Sequence, residues 1–457
     1  MANLNQLNLV RDYFSHGHTK PYSFRKEQLV KLKKAVIANE DGIFEALKLD
    51  LKKSKEESWV TENGFLISEI SHAIKNLAGW MKRKRVPTNL LNLPSKSFLI
   101  PEPLGVVLII SPWNYPFQLL LTPLVGAIAA GNCAVLKPSE FAPATSAIIK
   151  KIIGDTFDPK YILFTEGEGS RIIPGMMEQF VFDHVFYTGS TSVGRIVYQH
   201  AAKNLVPVTL ELGGKSPCIV EADADITVAA KRIAMPKFSN AGQMCVAPDF
   251  LLVHASRKQE LLDAIIENIR KFFGADPSSS NDYGKIINAR QFDRLTGLLL
   301  NQKVIYGGNY NRDALYISPT LVEATADSAL MREEVFGPIL PILTFKNRAD
   351  ALKIVLQNSN PLAFYLFTSS KANEQFWMDN VAFGGGCINN ASWHLTNHNL
   401  PFGGRGMSGT GNYHGRFSFD TFSHIKGIMK TPTWFDPAVK YPPFKGKLNL
   451  FKKIIGR

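Results

Sequence analysis

The sequence predicts an α/β protein: a parallel sheet covered on both faces, followed by a second α/β unit. Three observations carry this. From Leu104 onward, short Val/Ile/Leu runs alternate with helical stretches, the pattern of strands buried on both faces. The 457 residues exceed what one core holds, so two large domains and a smaller appendage are expected. The apolar share, 45%, is that of a globular chain.

Residues 24–85 place apolar side chains at helical spacing (Leu29, Leu32, Val36; Ile43, Leu47) among Lys and Glu, which predicts a helical entry segment. The basic cluster Lys82, Arg83, Lys84 and Arg85 follows it and precedes Pro87, so it reads as a solvated helix end. Then come "GVVLII" as strand, 117–130 as helix, "CAVLK" as strand, 142–153 as helix, and "YILFTE" as strand. "HVFYTG" is the next strand, 191–202 a helix, and "PVTLEL" a further strand. The ligand of such a sheet belongs at the carboxyl ends of its strands. A second alternating region follows Glu211, with "SPCIV", "FLLVH", a helix over 257–272, "ILPILTF" and "LAFYLF". After about residue 398 the chain becomes Gly-rich, and Gly403-Gly404 reads as a tight turn. The longest apolar stretch, Leu119 to Leu136, is interrupted by Thr122, Pro123 and Gly131-Asn132, so it reads as helix, turn and strand rather than a membrane span.

Basic residues outnumber acidic ones, 52 to 39, for a formal charge of +13, which favours a polyanionic ligand such as a dinucleotide, or an acidic membrane surface. Nucleic acid is not an expected partner. The four cysteines (Cys133, Cys218, Cys245, Cys387) are far apart with no C-x-x-C spacing, so a reduced, cytoplasmic protein without a metal site is expected. The first residues lack the apolar core and cleavage site of a secretory signal.

Candidate chemistry lies in short runs. "NAGQMCVAPDF" sets Cys245 between Gly242 and Pro248, where a loop can favour the thiolate; the ordinary alternative is a small buried hydrophobe. "LELGGKSP" offers Glu211 as a base or as a carboxylate capping a Gly-Gly turn. Asn114, in "SPWNYPF", can donate to an oxyanion or cap a turn before Tyr115-Pro116. "TGSTSVG" places Gly189, Ser190 and Gly194 between strand and helix, where a pyrophosphate can meet N–H groups, though it is not the G-x-G-x-x-G fingerprint. "LKPSE" supplies Lys137 for ribose hydroxyls or phosphate, and Glu140, which can accept from ribose hydroxyls and repel a 2′-phosphate. "EEVFGP" adds Glu334 as a ribose ligand or a solvated carboxylate.

These motifs, in this order, closely resemble the aldehyde dehydrogenase superfamily from about residue 20 to 430. The matching runs are "SPWNYPF", "LKPSE", "FYTGSTSVG", "LELGGKSP", "GQMCVAPD", "EEVFGPI" and "LPFGGRGMSG". The short N-terminus, Pro248-Asp249 and "GNYHGRFSFDTFSH" look like the class 3 branch of fatty, aromatic and medium-chain aldehyde dehydrogenases. The resemblance implies a Rossmann-like cofactor domain (1–81 and 102–210, with part of 399–415), a catalytic domain (211–398), and a β-arm with C-terminal bridge (82–101 and 416–457) that pairs subunits into a homodimer. It also implies roles. Cys245 attacks the aldehyde, the Asn114 amide and the Cys245 N–H hold the oxyanion, and Glu211 activates water against the thioester. Lys137, Glu140, Gly189, Ser190, Gly194 and Glu334, with Phe336 beside the nicotinamide, hold NAD, with NADP tolerated. Met244, where relatives often have Thr, joins Tyr115, Leu119 and the 390–399 loop around the substrate, and Arg405 replaces a small apolar residue. Apolar character there points to a hydrophobic medium-chain, long-chain or aromatic aldehyde. A CoA-acylating enzyme is the alternative, which Glu211 argues against; a catalytically silent protein on the same fold is the other.

The tail "KYPPFKGKLNLFKKIIGR" spaces Leu448, Phe451 and Ile455 as on a helix, with Lys447, Lys452, Lys453 and Arg457 as basic charge. Docking on protein and reversible attachment to an acidic membrane face both fit this short cationic amphipathic helix.

Overall fold

The computed structural model describes residues 2–455, so Met1, Gly456 and Arg457, the last a basic residue of the tail, lie outside the described residues. Helices Tyr22–Ala38, Glu40–Leu51 and Gly64–Met81 form the entry segment, and Leu29, Leu32, Val36, Ile43 and Leu47 are fully buried, as their spacing predicts. The basic cluster is a correction. The helix stops at Met81, Lys82 is extended, and Lys84–Val86 is a strand paired antiparallel with Lys96–Pro103. Lys84 and Arg85 are both exposed on this edge strand, while the Arg83 guanidinium lies 4.1 Å from the Phe98 ring centre.

A six-stranded sheet runs in the order Gly409–Thr410, Val208–Glu211, His184–Thr188, Val106–Ile110, Cys133–Lys137, Ile162–Phe164. All neighbours are parallel except the Gly409–Thr410 edge, which pairs antiparallel with Val208–Glu211. Val106 through Ile109 are fully buried, and every residue of helix Gln118–Ala130 is buried, because helices cover both faces of such a sheet. The chain builds outward from Val106–Ile110 through Cys133–Lys137 to Ile162–Phe164, then returns to lay His184–Thr188 on the other side of Val106–Ile110. That reversal opens a crevice at the carboxyl ends of these two strands. The return runs through helix Gly169–Gln179, which the sequence reading does not include. Gly169, Pro174 and Gly175 weaken its propensity, but burial of Ile172, Ile173, Met176 and Met177 stabilises it. The expected strand over "YILFTE" is reduced to Ile162–Phe164.

The second sheet has seven strands, Lys303–Tyr306, Thr320–Glu323, Ile339–Phe345, Phe250–His254, Pro217–Val220, Ala363–Phe367 and Gly385–Ile388, parallel except for the first pair. Its four central strands are those the sequence predicts. A third sheet joins Lys84–Val86, Lys96–Pro103 and Ser423–Lys430. The Gly-rich run packs backbone on backbone: a Cβ on Gly404 would meet the Ser408 carbonyl at 2.0 Å and one on Gly403 the Gly411 carbonyl at 2.3 Å. The tail forms the expected helix, Leu448–Ile455, with no buried residue; Phe451 packs on Phe444, ring centres 5.8 Å apart. Among the described residues no helix is long and apolar enough to cross a membrane.

Candidate active site

Cys245 sits on an irregular loop leading into strand Phe250–His254. The 3-10 turn Ser239–Gly242 holds Asn240, Ala241 and Gly242 in the left-handed region, at φ 50°, 50° and 70°. Two non-glycine residues there are strained, and hydrogen bonds hold them. The Asn240 N–H donates to Glu57 Oε1 (2.9 Å), and Gln243 Nε2 donates to the carbonyls of Asn240 (3.0 Å) and Lys285 (2.9 Å). Gln243 Oε1 accepts from the Ile287 N–H (3.0 Å). On the other side of the thiol, the Val246 carbonyl accepts from the Tyr365 hydroxyl (2.5 Å) and Ser392 Oγ (2.9 Å). The nucleophile loop is thus pinned before and after Cys245. The half-buried thiol is pushed up to about 12 by burial, then by the charges of Glu334 and Glu211.

Asn114 lies past the end of Val106–Ile110, buried, with Nδ2 donating to the Gln243 carbonyl at 3.1 Å. Its side-chain amide therefore touches the same loop as the thiol, two residues before Cys245. Asn114 Oδ1 is buried without a partner among the described residues. Glu211 ends strand Val208–Glu211, is 3% exposed, and neither carboxyl oxygen has a hydrogen-bond partner among the described residues. Burial alone raises its proton affinity well above the carboxylate range. An unpartnered buried carboxyl costs free energy, a cost that structures accept mainly where the group has chemical work.

Glu334 faces the Gly-Gly turn after Glu211: its carboxyl occupies the space a Cβ on Gly213 would take. Burial, then the Asp249 carboxylate, lift Glu334 to about 8. Asp249 is held by a buried ion pair with Lys215 and accepts from the Val335 N–H at 2.8 Å, which fixes the segment carrying Glu334. Phe336 takes a left-handed φ of 48° and stands edge-on to Trp113, ring centres 5.3 Å apart.

At the neighbouring strand end, Lys137 is buried and donates to Glu140 Oε2 (3.0 Å) and the Pro138 carbonyl (2.6 Å). Glu140 Oε1 accepts from the Gly169 N–H (2.9 Å). Burial raises the Glu140 carboxyl, but the Gly169 and Glu140 N–H groups and Lys137 outweigh it, leaving a carboxylate below its usual range. Ser190 caps helix Thr191–Ala202 and is exposed. Gly189 and Gly194 are packing glycines: a Cβ on Gly189 would meet the Tyr187 hydroxyl at 2.3 Å, and one on Gly194 would meet Leu212 at 2.6 Å. Gly194 thus lets the helix N-terminus close on the strand end next to Glu211. The open helix N-terminus, the Lys137–Glu140 pair and the unpartnered Asn114 and Glu211 groups suit a pyrophosphate, a ribose and a reacting carbonyl, so the residues present fit a dinucleotide. Tyr115 and Leu119 are buried, and Met244 is half-buried.

Residues 11–428 match the family described as the aldehyde dehydrogenase family. The chain belongs to the aldehyde dehydrogenase family. It is 48% identical over 446 residues to 4,4'-diaponeurosporen-aldehyde dehydrogenase of Staphylococcus aureus, covering 96% of each chain. It is 40% identical over 452 residues to the Mus musculus protein named aldehyde dehydrogenase, dimeric NADP-preferring, covering 98% of this chain and 99% of that one. A solved structure of the substrate-bound state of Staphylococcus aureus AldH superposes with a TM-score of 0.96 at 47% identity, covering 99% of each chain. The enzyme is accordingly an oxidoreductase that oxidises aldehydes, with NAD(P) as cofactor. Sequence reasoning missed Asn240, Gln243, Tyr365 and Ser392, which hold the nucleophile loop. Asn240 and Gln243 stand in the run of Cys245 and Ser392 in the 390–399 loop, but nothing local ties Tyr365 or Ser392, 119 and 146 residues from Val246, to the nucleophile loop.

Proposed function

We propose that the enzyme converts a hydrophobic medium-chain, long-chain or aromatic aldehyde to its carboxylic acid, with Cys245 as nucleophile and Glu211 as hydrolytic base. The observation that carries the reading is the buried, unpartnered Glu211 carboxyl at the strand end, electrostatically coupled to the Cys245 thiol. The Cys245 thiol loses its proton to solvent as Sγ bonds the carbonyl carbon, and the C=O π bond opens to an oxyanion that the Asn114 amide and the Cys245 N–H stabilise. A dinucleotide held there would supply the acceptor for the hydride of the thiohemiacetal carbon. Glu211 then takes a proton from water as it attacks the thioester, and Cys245 leaves. Lys137, Glu140, Gly189, Ser190, Gly194, Glu334 and Phe336 would hold the dinucleotide, and Tyr115, Leu119 and Met244 the aldehyde. The relative named for 4,4'-diaponeurosporen-aldehyde supports a hydrophobic substrate. Acid formation without CoA, with kcat/KM rising from a two-carbon to a long-chain or aromatic aldehyde, is the expected result; dependence on CoA, or preference for the two-carbon substrate, opposes it.

NAD is preferred and NADP tolerated, because Glu140 remains ionised where a 2′-phosphate would come. The ratio of kcat/KM for NAD over NADP should fall in Glu140→Gln; an unchanged ratio shows that Glu140 does not discriminate.

Residues 1–81 and 102–210, with part of 399–415, serve the dinucleotide, 211–398 catalysis, and 82–101 with 416–457 subunit pairing in a cytoplasmic homodimer. A relative named dimeric supports the pairing, and mass in solution checks it. The tail helix exposes Leu448, Leu450, Ile454 and Ile455 beside Lys452 and Lys453, an arrangement suited to an acidic membrane face. Full-length enzyme should co-sediment with anionic vesicles at low salt and release as salt rises, while a chain ending at Pro443 should not. Equal behaviour of the two favours docking on protein.

A further inference from the structure

Lys53 and Glu62 form an ion pair, Nζ to Oε1 2.6 Å, with both side chains fully buried. Its sequence origin is a widened turn. Lys53 lies between helices Glu40–Leu51 and Lys55–Ser58, and Glu62 in the π-helical turn Trp59–Asn63. The extra residue per turn changes the register, so Glu62 and Asn63 face inward at 0% exposure while Trp59 and Val60 remain outside.

Among the described residues, the pair's other side-chain hydrogen bonds and its cation–π contact fall on one short segment. Lys53 Nζ donates to the Asn114 carbonyl at 3.4 Å and sits 3.8 Å from the centre of the Tyr115 ring. Glu62 Oε2 accepts from the Gln118 N–H at 2.8 Å. This segment, 114–118, joins the end of strand Val106–Ile110 to helix Gln118–Ala130, and it carries both the Asn114 amide and the Tyr115 wall. The Asn114 carbonyl is fixed again from the nucleophile loop by Asn240 Nδ2 at 2.8 Å.

Energetics argue against a stabilising purpose. A buried ion pair repays its desolvation only in part, and apolar residues of similar volume often serve stability as well. What apolar residues cannot supply is a directed hold on a carbonyl, an aromatic face and an N–H in one turn. We propose that Lys53 and Glu62 are positioning residues of the reaction, fixing the 114–118 turn so that the Asn114 amide meets the oxyanion and Tyr115 bounds the aldehyde. The inference rests on the reading of Asn114 as an oxyanion donor. The substrate pocket accordingly has an ionic wall behind Tyr115, where the sequence suggested mainly apolar residues.

The test compares Lys53→Met/Glu62→Leu, Glu62→Gln and Lys53→Arg in the full-length enzyme, reading kcat, the KM for dinucleotide, and the rate of Cys245 alkylation by iodoacetamide. The double variant and Glu62→Gln should lose roughly tenfold to a hundredfold in kcat, the range for a small misplacement of a catalytic group. Dinucleotide KM and Cys245 alkylation should not change, and Lys53→Arg should retain most of the rate. In an Asn114→Ala background the same changes should cost less than in the wild type, because part of their effect runs through that side chain. Wild-type kcat in either folded variant, or full additivity with Asn114→Ala, overturns the inference. If the double variant does not fold, Glu62→Gln, which keeps an acceptor for the Gln118 N–H, decides alone. Should Asn114→Ala itself keep wild-type kcat, the oxyanion reading has failed; if it loses rate while the pair's variants do not, only this inference has.

Discussion

Changing Glu211 to Gln is expected to leave one stoichiometric burst of reduced dinucleotide followed by slow turnover, whereas Cys245→Ala should lose burst, turnover and ester hydrolysis together. The two residues act at separate steps. Without Cys245 no thiohemiacetal forms, and without the base the thioester waits for unassisted water, a loss of about 10²- to 10⁴-fold. The Gln side chain keeps the volume of Glu211, which has no hydrogen-bond partner among the described residues to lose, so little structural change accompanies it. Burial raises Glu211 above the carboxylate range, and the base works only once deprotonated. Thioester hydrolysis by the wild type should therefore rise with pH above the range of ordinary carboxylates, and Glu211→Gln should flatten that limb. Rapid-mixing measurement of dinucleotide reduction decides: normal steady turnover in Glu211→Gln, or no first-turnover reduction, contradicts the assignment.

Asn114→Ala is expected to lower kcat by about 10²- to 10³-fold, roughly 3 to 4 kcal/mol, as when one oxyanion donor is removed from an enclosed site. Little of this should come from unfolding. The Gln243 carbonyl that Asn114 Nδ2 reaches also accepts from Asn240 Nδ2 at 3.2 Å, so its buried acceptor stays partnered. Cys245 should then alkylate at the wild-type rate while oxidation fails. Unchanged kcat, or lost thiol reactivity, would mean that Asn114 shapes the loop rather than the oxyanion.

Much of the framework was legible because two-sided burial demands all-apolar strands. "VVLII", "CAVLK" and "HVFYT" read as buried strands, and the reversal after Ile162–Phe164 then sets the crevice that Asn114 and Gly189 follow, with Glu211 ending the next strand. Helix Gly169–Gln179 was not legible, since Gly169, Pro174 and Gly175 argue against a helix and only tertiary burial overrides them. Lys84–Val86 was hidden for the opposite reason: an exposed edge strand of charged residues has no apolar alternation to read. At the site, Cys245, Glu211 and Asn114 each stood in a recognisable run. Asn240 and Gln243 stood in the run of Cys245, but the other supports had no such mark. The Lys53–Glu62 pair depends on a π-helical turn, and the hold of Tyr365 and Ser392 on Val246 joins segments far apart in sequence.

The decisive measurement is peptide mass spectrometry on Glu211→Gln, quenched with acid after a single turnover with dinucleotide and a long-chain aldehyde. The expected result is one acyl group per chain, on the peptide that contains Cys245. An acyl group on Cys133, Cys218 or Cys387 instead, or reduced dinucleotide formed with no covalent adduct on Cys245, would contradict nucleophilic catalysis by Cys245 with hydrolysis assigned to Glu211.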